Sequence, residues 1–344
     1  MGMACKALDE AMVPAWDDFV RTMPGGTFFH LAAWRQVIAH VFGHRTYYVL
    51  TERDGAITGV LPLVHVKTRL FSNMLISNPF CVYGGPLAAD AESAAVLHEH
   101  AAWLMTRLGA MAVEFRFLEP VESDWLARPD LYVTFRKPIA PDDTTNMKAI
   151  PRKQRAMVRK GIQNGLTSVV STEHVDQFYR IYAESVRNLG TPVFSRAYFR
   201  LLVTTFRDCC DIVTVLDDGR PIAAVLNFYF RDQVLPYYGG GKAVARSLAA
   251  NDFMYWEVMR RAAARGFRLF DFGRSKLGTG ACAFKQNWGF APEKLHYRYK
   301  LRPGASIPDY NPLNPKYRLM IAAWKRLPLP LAGLIGPHIV RGIG

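Results

Sequence analysis

Paired cysteines, acidic residues and long apolar runs are all scarce in this 344-residue chain. The five cysteines, Cys5, Cys81, Cys209, Cys210 and Cys282, are odd in number and never fall in a Cys-x-x-Cys spacing. With no secretory apolar segment after Met1, this argues against a disulfide scaffold and for free thiols in a reducing cytoplasm. Only 29 Asp and Glu stand against 43 Lys and Arg, a formal net charge of +14. Nucleic acid, lipid headgroups and phosphorylated substrates are the partners that fit such an imbalance. No stretch reaches the roughly 18 uncharged apolar residues of a membrane-spanning helix. The nine histidines form no His-Glu-x-x-His pair and have no cysteine or carboxylate cluster beside them, so no metal site is expected. A Gly-x-Ser-x-Gly elbow and a Walker A loop are also missing, which leaves serine hydrolysis and ATP hydrolysis without their signatures.

What is present suits a large folded protein. Half the residues are hydrophobic and 12% are aromatic, enough for packed cores, and the length favours two domains. The spacing of Phe28, Leu31, Trp34 and Ile38 predicts a helix over Thr27–Val41. Strands are expected at 47–51 and 57–66 about an Asp54-Gly55 turn, then at 74–76. An Asp90-capped helix over 91–108 should stop at Gly109 and be followed by a strand at 111–117. The second half repeats the order. Strands at 212–216 and 222–230 flank Asp217-Asp218-Gly219, and a third strand ends in Tyr238-Gly239-Gly240. An Asn251-capped helix then precedes Gly266 and a strand at 269–272. Landmarks agree in order: Asp54-Gly55 with Asp218-Gly219, Tyr83-Gly84-Gly85 with Tyr238-Gly239-Gly240, and Gly109 with Gly266. Two copies of one βββαβ unit, with mixed sheets flanked by helices (α+β), are the simplest account.

Three stretches carry candidate chemistry. Residues 147–165 gather Arg152, Lys153, Arg155, Arg159 and Lys160 on a helix-forming run with no acidic residue among them, a face suited to phosphates. Between two expected helices, the second capped by Ser195, lies the loop Gly190-Thr191-Pro192-Val193-Phe194, in which Thr191 and Phe194 could wall a cleft. The sharpest stretch is FDFGRSKLGTGACAFKQNWGF, from Phe270 to Phe290. Its glycines permit close backbone approach, and Arg274 and Lys276 can hold oxyanions. Arg274, Ser275, Lys276, Thr279, Trp288 and the strand-end Tyr238 are the expected substrate contacts, and Asp271 is read as an anchor for the loop. The tail, Tyr317–Val340, is apolar but broken by Lys325, Arg326, Pro328, Pro330 and Pro337. It reads equally as a segment docked on its own domain or as one lying on an anionic membrane.

The duplicated unit, the RKQRAMVRKGIQNGL segment, the GTPVFS loop and DFGRS followed by GTGACAFKQNWGF resemble the FemAB family of aminoacyl and acyl transferases. The likeness is nearest to its members associated with exosortase/PEP-CTERM systems, whose tail is similar to WKRLPLPLAGLIGPHIVRG. The resemblance implies tandem GNAT-like domains at 1–145 and 146–304, with the active site in the second, and a basic-apolar tail at 305–344. It implies a cytoplasmic enzyme, at the inner face of the membrane if the tail binds there. Such an enzyme moves an aminoacyl or acyl group to the amine of a cell-envelope or exopolysaccharide intermediate. The family's Phe-Lys pair falls on Phe284 and Lys285, with Lys285 stabilising the tetrahedral oxyanion. Aminoacyl-tRNA is the implied donor. Acyl-CoA is less favoured, because Lys242–Asn251 lacks the R/Q-x-x-G-x-G/A turn of acyl-CoA-dependent GNAT enzymes. A non-catalytic protein binding membrane or glycan, and an acyl-CoA N-acetyltransferase, remain the alternatives.

Overall fold

The computed structural model describes residues 4–68, 72–128, 132–307 and 318–342, so residues 308–317 of the tail lie outside the described residues. Contacts divide the chain into two units. One lies within residues 1–131, 294–310 and 341–344, the other within 132–293 and 311–340. Set beside the sequence boundary at 145/146, a strand at 132–138 already belongs to the second unit. A strand at 296–301 belongs to the first.

In the first unit the elements are β1 (Lys6–Ala7), α1 (Val13–Thr22), α2 (Trp34–Phe42), β2 (Arg45–Arg53), β3 (Ala56–Lys67), β4 (Asn73–Ser77), β5 (Leu87–Ala88), α3 (Ala91–Leu108), β6 (Ala112–Phe117) and β7 (Leu126–Ala127). The second unit brings β8 (Tyr132–Pro138), α4 (Asp143–Ala149), α5 (Arg152–Gln163), β9 (Thr167–Val170), α6 (Val175–Leu189), α7 (Arg196–Thr205), β10 (Cys210–Asp217), β11 (Arg220–Phe230) and β12 (Gln233–Gly241). It continues with α8 (Ala250–Ala264), β13 (Leu269–Asp271), β14 (Ser275–Lys276), α9 (Gly280–Asn287) and β15 (Pro292–Lys294). The chain then returns to the first unit as β16 (His296–Leu301) and closes with α10 (Arg318–Arg326) and α11 (Leu329–Val340) in the second.

The sheets run β1-β2-β3-β4-β6-β16-β7 and β14-β8-β13-β12-β11-β10-β9. Both contain the repeat. Three antiparallel strands are followed by a helix and then by a strand parallel to the third: β4 with β6 and β12 with β13. The hairpins form because Asp54-Gly55 (φ 51° and 79°) and Asp218-Gly219 (φ 46° and 74°) both take positive φ, as tight two-residue hairpins require. Asp90 and Ser195 cap their helices as expected, accepting the amides of Ser93 and Tyr198.

Three expectations change. The helix over Thr27–Val41 splits into a single turn at Phe28–His30 and α2, because Thr27 and His30 close a capping box. Asn251 does not cap α8, which begins one residue earlier behind a left-handed Ala249. The Tyr-Gly-Gly landmarks are not equivalent: Tyr238–Gly240 lies on β12, whereas Tyr83–Gly85 lies in the irregular stretch between β4 and β5.

In the second unit the parallel pairing of β12 with β13 lasts only for Gln233–Leu269 and Val234–Phe270. The ladder between β11 and β12 shifts register at Pro236, making Tyr237 the extra residue of a bulge. Proline has no N–H to give the ladder, so the irregularity falls there. Beyond it, Gly240 lets α6 approach, since a Cβ would stand 2.5 Å from that of Ser185. Gly161 does the same for α5 against α8: its Cβ would lie 2.7 Å from Phe253 Cβ and 3.3 Å from the Ala249 carbonyl. Gly161→Val should therefore destabilise the protein by about 1–3 kcal/mol, the usual penalty of overpacking. Chemical denaturation measures it, and an unchanged midpoint would show that the two helices can separate freely.

Candidate active site

The site is built on the turn that leaves β13. Asp271, at the strand's end, is almost wholly buried, and its Oδ1 accepts the amide of Gly273 at 2.7 Å. Arg136 Nε stands 3.9 Å from its other oxygen. From the opposite side, Lys285 Nζ donates to the carbonyls of Gly273 (2.9 Å) and Arg274 (3.1 Å). A carboxylate thus holds the amide of the turn while an ammonium holds its carbonyls, and Gly273 supplies the positive φ of 67° that the bend needs. Asp271 is the anchor expected from the sequence.

Lys285 is enclosed by aromatic rings. Its Nζ lies 5.4 Å from the ring centroid of Phe135 and 6.0 Å from that of Phe272. Burial pushes its pKa down to about 8, against the opposing pull of Asp271, since desolvation penalises the charged form. Phe284 and Tyr255 extend the wall: Tyr255 packs against Phe272 at 4.8 Å and Phe284 at 5.6 Å. A cation held in such surroundings acts on a developing negative charge more strongly than one in water.

The other expected residues divide into groups. Arg274 and Lys276 lie over the ring of Tyr132, at 4.4 and 5.4 Å from its centroid. Ser275 pairs with Val133 of β8, and among the described residues its buried Oγ has no hydrogen-bond partner. Thr279 caps α9, accepting from Cys282 N and donating to the Lys276 carbonyl. Trp288 is fully buried and donates from Nε1 to Asp252 Oδ1 at 3.0 Å. With no exposed surface it packs the core instead of touching a ligand. Tyr238 and Phe194 meet elsewhere, in an aromatic cluster where the Tyr238 hydroxyl pairs with that of Tyr198 at 2.8 Å. Thr191 is exposed, and its carbonyl accepts from Trp324 Nε1.

The basic helix α5 buries Gln154, Val158 and Gly161, a stripe at i, i+4 and i+7. Its outer face presents Arg152, Arg155 and Arg159 along one shallow depression. Among the described residues, no carboxylate lies within 4.0 Å of these three or of Lys153. Gln154 donates to Asp252 Oδ1, so the helix is bonded to α8, which carries Tyr255. Asp252 is buried, and desolvation raises its pKa.

Sequence reasoning missed Tyr132, Tyr198 and Tyr255. Tyr255 sits three residues after Asp252 on the helix that follows the glycine-rich strand, and a Cβ at Gly239 would stand 2.9 Å from its hydroxyl. The glycine run thus marks where that hydroxyl approaches the backbone. Nothing in the sequence sets Tyr132 apart.

Lys285 also makes the stability pH-dependent. Its folded pKa, about 8, lies below the unfolded value of about 10.4. Its full contribution is therefore present above pH ~10.4 and is lost as pH falls through 8. Relative to Lys285→Met, wild type should gain up to about 3 kcal/mol between pH 7 and 10. Urea denaturation across that range reads the difference, and a pH-independent gap would show that the ammonium is not desolvated.

Residues 148–286 match the family model described as an acetyltransferase (GNAT) domain. No curated protein matches the chain. Among solved structures it is similar to FemX, at 15% identity and a TM-score of 0.64 over 92% of this chain and 99% of that one. It is also similar to the C-terminal domain of a putative lysylphosphatidylglycerol synthetase from Agrobacterium fabrum, at 13% identity and a TM-score of 0.57 over 85% and 93%. A tandem GNAT protein from the clavulanic acid biosynthesis pathway is 13% identical, with a TM-score of 0.55 over 89% and 99%. These likenesses concern the fold, which is the tandem GNAT-like fold. The residues matched by the acetyltransferase (GNAT) domain model lie within the second unit, and that match and the fold are both GNAT-like.

Proposed function

We propose that the protein transfers an aminoacyl group from a tRNA-carried ester to the amine of a cell-envelope or exopolysaccharide intermediate. The observation that carries this reading is Lys285, a cation walled by Phe135 and Phe272 and fixed on the carbonyls of the turn that leaves β13. The amine nitrogen attacks the ester carbonyl carbon and a tetrahedral oxyanion forms. The carbon–oxygen bond to the ribose then breaks, and the proton leaving nitrogen goes to the departing ribose oxygen, which becomes the free hydroxyl. Two hydrogens of Lys285 are already bonded to carbonyls, so its third is the one available to the oxyanion. Tyr255 with Phe284, both only partly buried, are suited to packing on the substrate.

Two observations favour tRNA over acyl-CoA. Arg152, Arg155 and Arg159 span about 10 Å along α5 at 1.5 Å per residue, a line of cations suited to a run of phosphates. Acyl-CoA-dependent GNAT enzymes hold phosphate on the turn before the helix that follows the strand. Here, at that turn, the Ala243 amide already donates to the carboxylate of Glu184 at 3.3 Å, and a carboxylate there repels phosphate. FemX and lysylphosphatidylglycerol synthetase share the fold, and the latter's name describes an aminoacylated product.

The test offers charged tRNA and acyl-CoA in parallel with amine-bearing envelope precursors and reads the product by mass spectrometry. Transfer should come from charged tRNA. Lys285→Ala should lower kcat at least 100-fold while donor affinity stays within about tenfold. Reversing Arg152, Arg155 and Arg159 to Glu should raise KM for charged tRNA and flatten its salt dependence. Equal or better turnover of acyl-CoA would overturn the donor assignment, and an active Lys285→Ala would remove the lysine from the chemistry.

A further inference from the structure

Helix α11 packs on its own unit through small residues and turns its large ones outward. In α11 the buried positions are Ala332, Gly336 and Val340, and a Cβ at Gly336 would stand 2.8 Å from the Val193 carbonyl. Leu331, Leu334 and Ile335, at i, i+3 and i+4, form an exposed stripe, with Leu334 at 66% exposure. In α10, Trp324 is buried and bonds the Thr191 carbonyl, while Leu319 and Met320 stand 84% and 64% exposed. Leu189, at the end of α6, is 70% exposed, and the adjoining Gly190 lies against Ile321 and Lys325 of α10. A helix docked in water shows the opposite polarity, with large apolar residues inward and charges outward, and apolar surface gathered in this way marks an interaction site.

We infer that α10 and α11 seat the protein on a bilayer surface rich in anionic lipid, with the Leu331–Leu334–Ile335 stripe entering the headgroup layer. Charge selects the occupant. Residues 310–344 contain no Asp or Glu, against Lys316, Arg318, Lys325, Arg326 and Arg341, and the side chains of Lys325 and Arg326 are exposed. An apolar stripe beside cations is how a helix lies in an anionic interface. A second copy of the chain fits poorly, because a self-complementary contact would bring the same cations together in a protein of net charge +14. Among the described residues no helix is long and apolar enough to cross a membrane, so the attachment is peripheral. The face of α11 that docks on the protein and the face inferred to meet the membrane lie on opposite sides of one helix.

The experiment is co-sedimentation of the full chain with phosphatidylcholine vesicles, with and without phosphatidylglycerol. Wild type should pellet with the anionic vesicles. Combined Leu331→Ser, Leu334→Ser and Ile335→Ser should weaken that binding at least tenfold with an unchanged melting temperature, since the packed face is untouched. Lys325→Gln with Arg326→Gln should weaken it about fivefold per charge, about 25-fold together. Wild type left in the supernatant, or equal pelleting of the triple variant, overturns the inference. Dimerisation without vesicle binding, lost in the triple variant, assigns the stripe to a second copy instead. Acyl transfer from soluble substrates is measured separately, so the two readings can fail independently.

Discussion

One carboxylate oxygen joins three elements of the second unit. Asp252 Oδ1, buried at the start of α8, accepts from Gln154 on the basic helix and from Trp288 just past α9. The cationic face of α5, the helix carrying Tyr255 and the segment carrying Lys285 are therefore positioned from one point. Burial raises the pKa of Asp252, and the hydrogen bonds from Gln154 and Trp288 pull against that shift. Replacing it with an apolar residue would leave both donors buried without an acceptor, the expensive half of losing a hydrogen bond.

The turn after β13 follows the same logic at closer range. Asp271 takes its amide and Lys285 its carbonyls, so opposite charges fix one short loop without meeting as a simple ion pair. That arrangement holds a lysine among aromatic rings, where it is charged yet poorly solvated. In the proposed role such a cation would meet an oxyanion with little reorganisation. The first unit also buries charge on its matching strand, with Arg116 Nε bonded to Glu114 at 2.6 Å. There the guanidinium also bonds the Cys81 carbonyl, and the strand's Arg116 amide and carbonyl bond Ser77 and Gly85. The same architecture thus carries a buried ion pair in one copy and an enclosed lysine in the other.

Some of this was readable from local chemistry. Asp-Gly at 54–55 and 218–219 sets the hairpins because few other residues tolerate consecutive positive φ. Gly109 and Gly266 take the left-handed turns that close their helices, and Ser195 and Asp90 cap because their oxygens reach the first free amides. Those signals were enough to find the repeat. Asn251 misled, because an Asx residue signals a cap only when the backbone stops being helical there, and Ala249 had already made that turn. Trp288 misled for a related reason: its place in a motif says nothing about burial.

By itself, then, the sequence determined the repeated order of strands and helices, the turn positions and the cationic helix, all set within a few residues. Tertiary structure alone decided which strands exchange between the sheets, since β8 and β16 pair with residues far away in the chain. It also decided that Lys285 meets the backbone of Gly273 and Arg274, that Gln154 meets Asp252, and that α11 turns its small residues inward. Periodicity can mark a helical face, but which face meets protein and which is left exposed depends on what the rest of the chain brings against it.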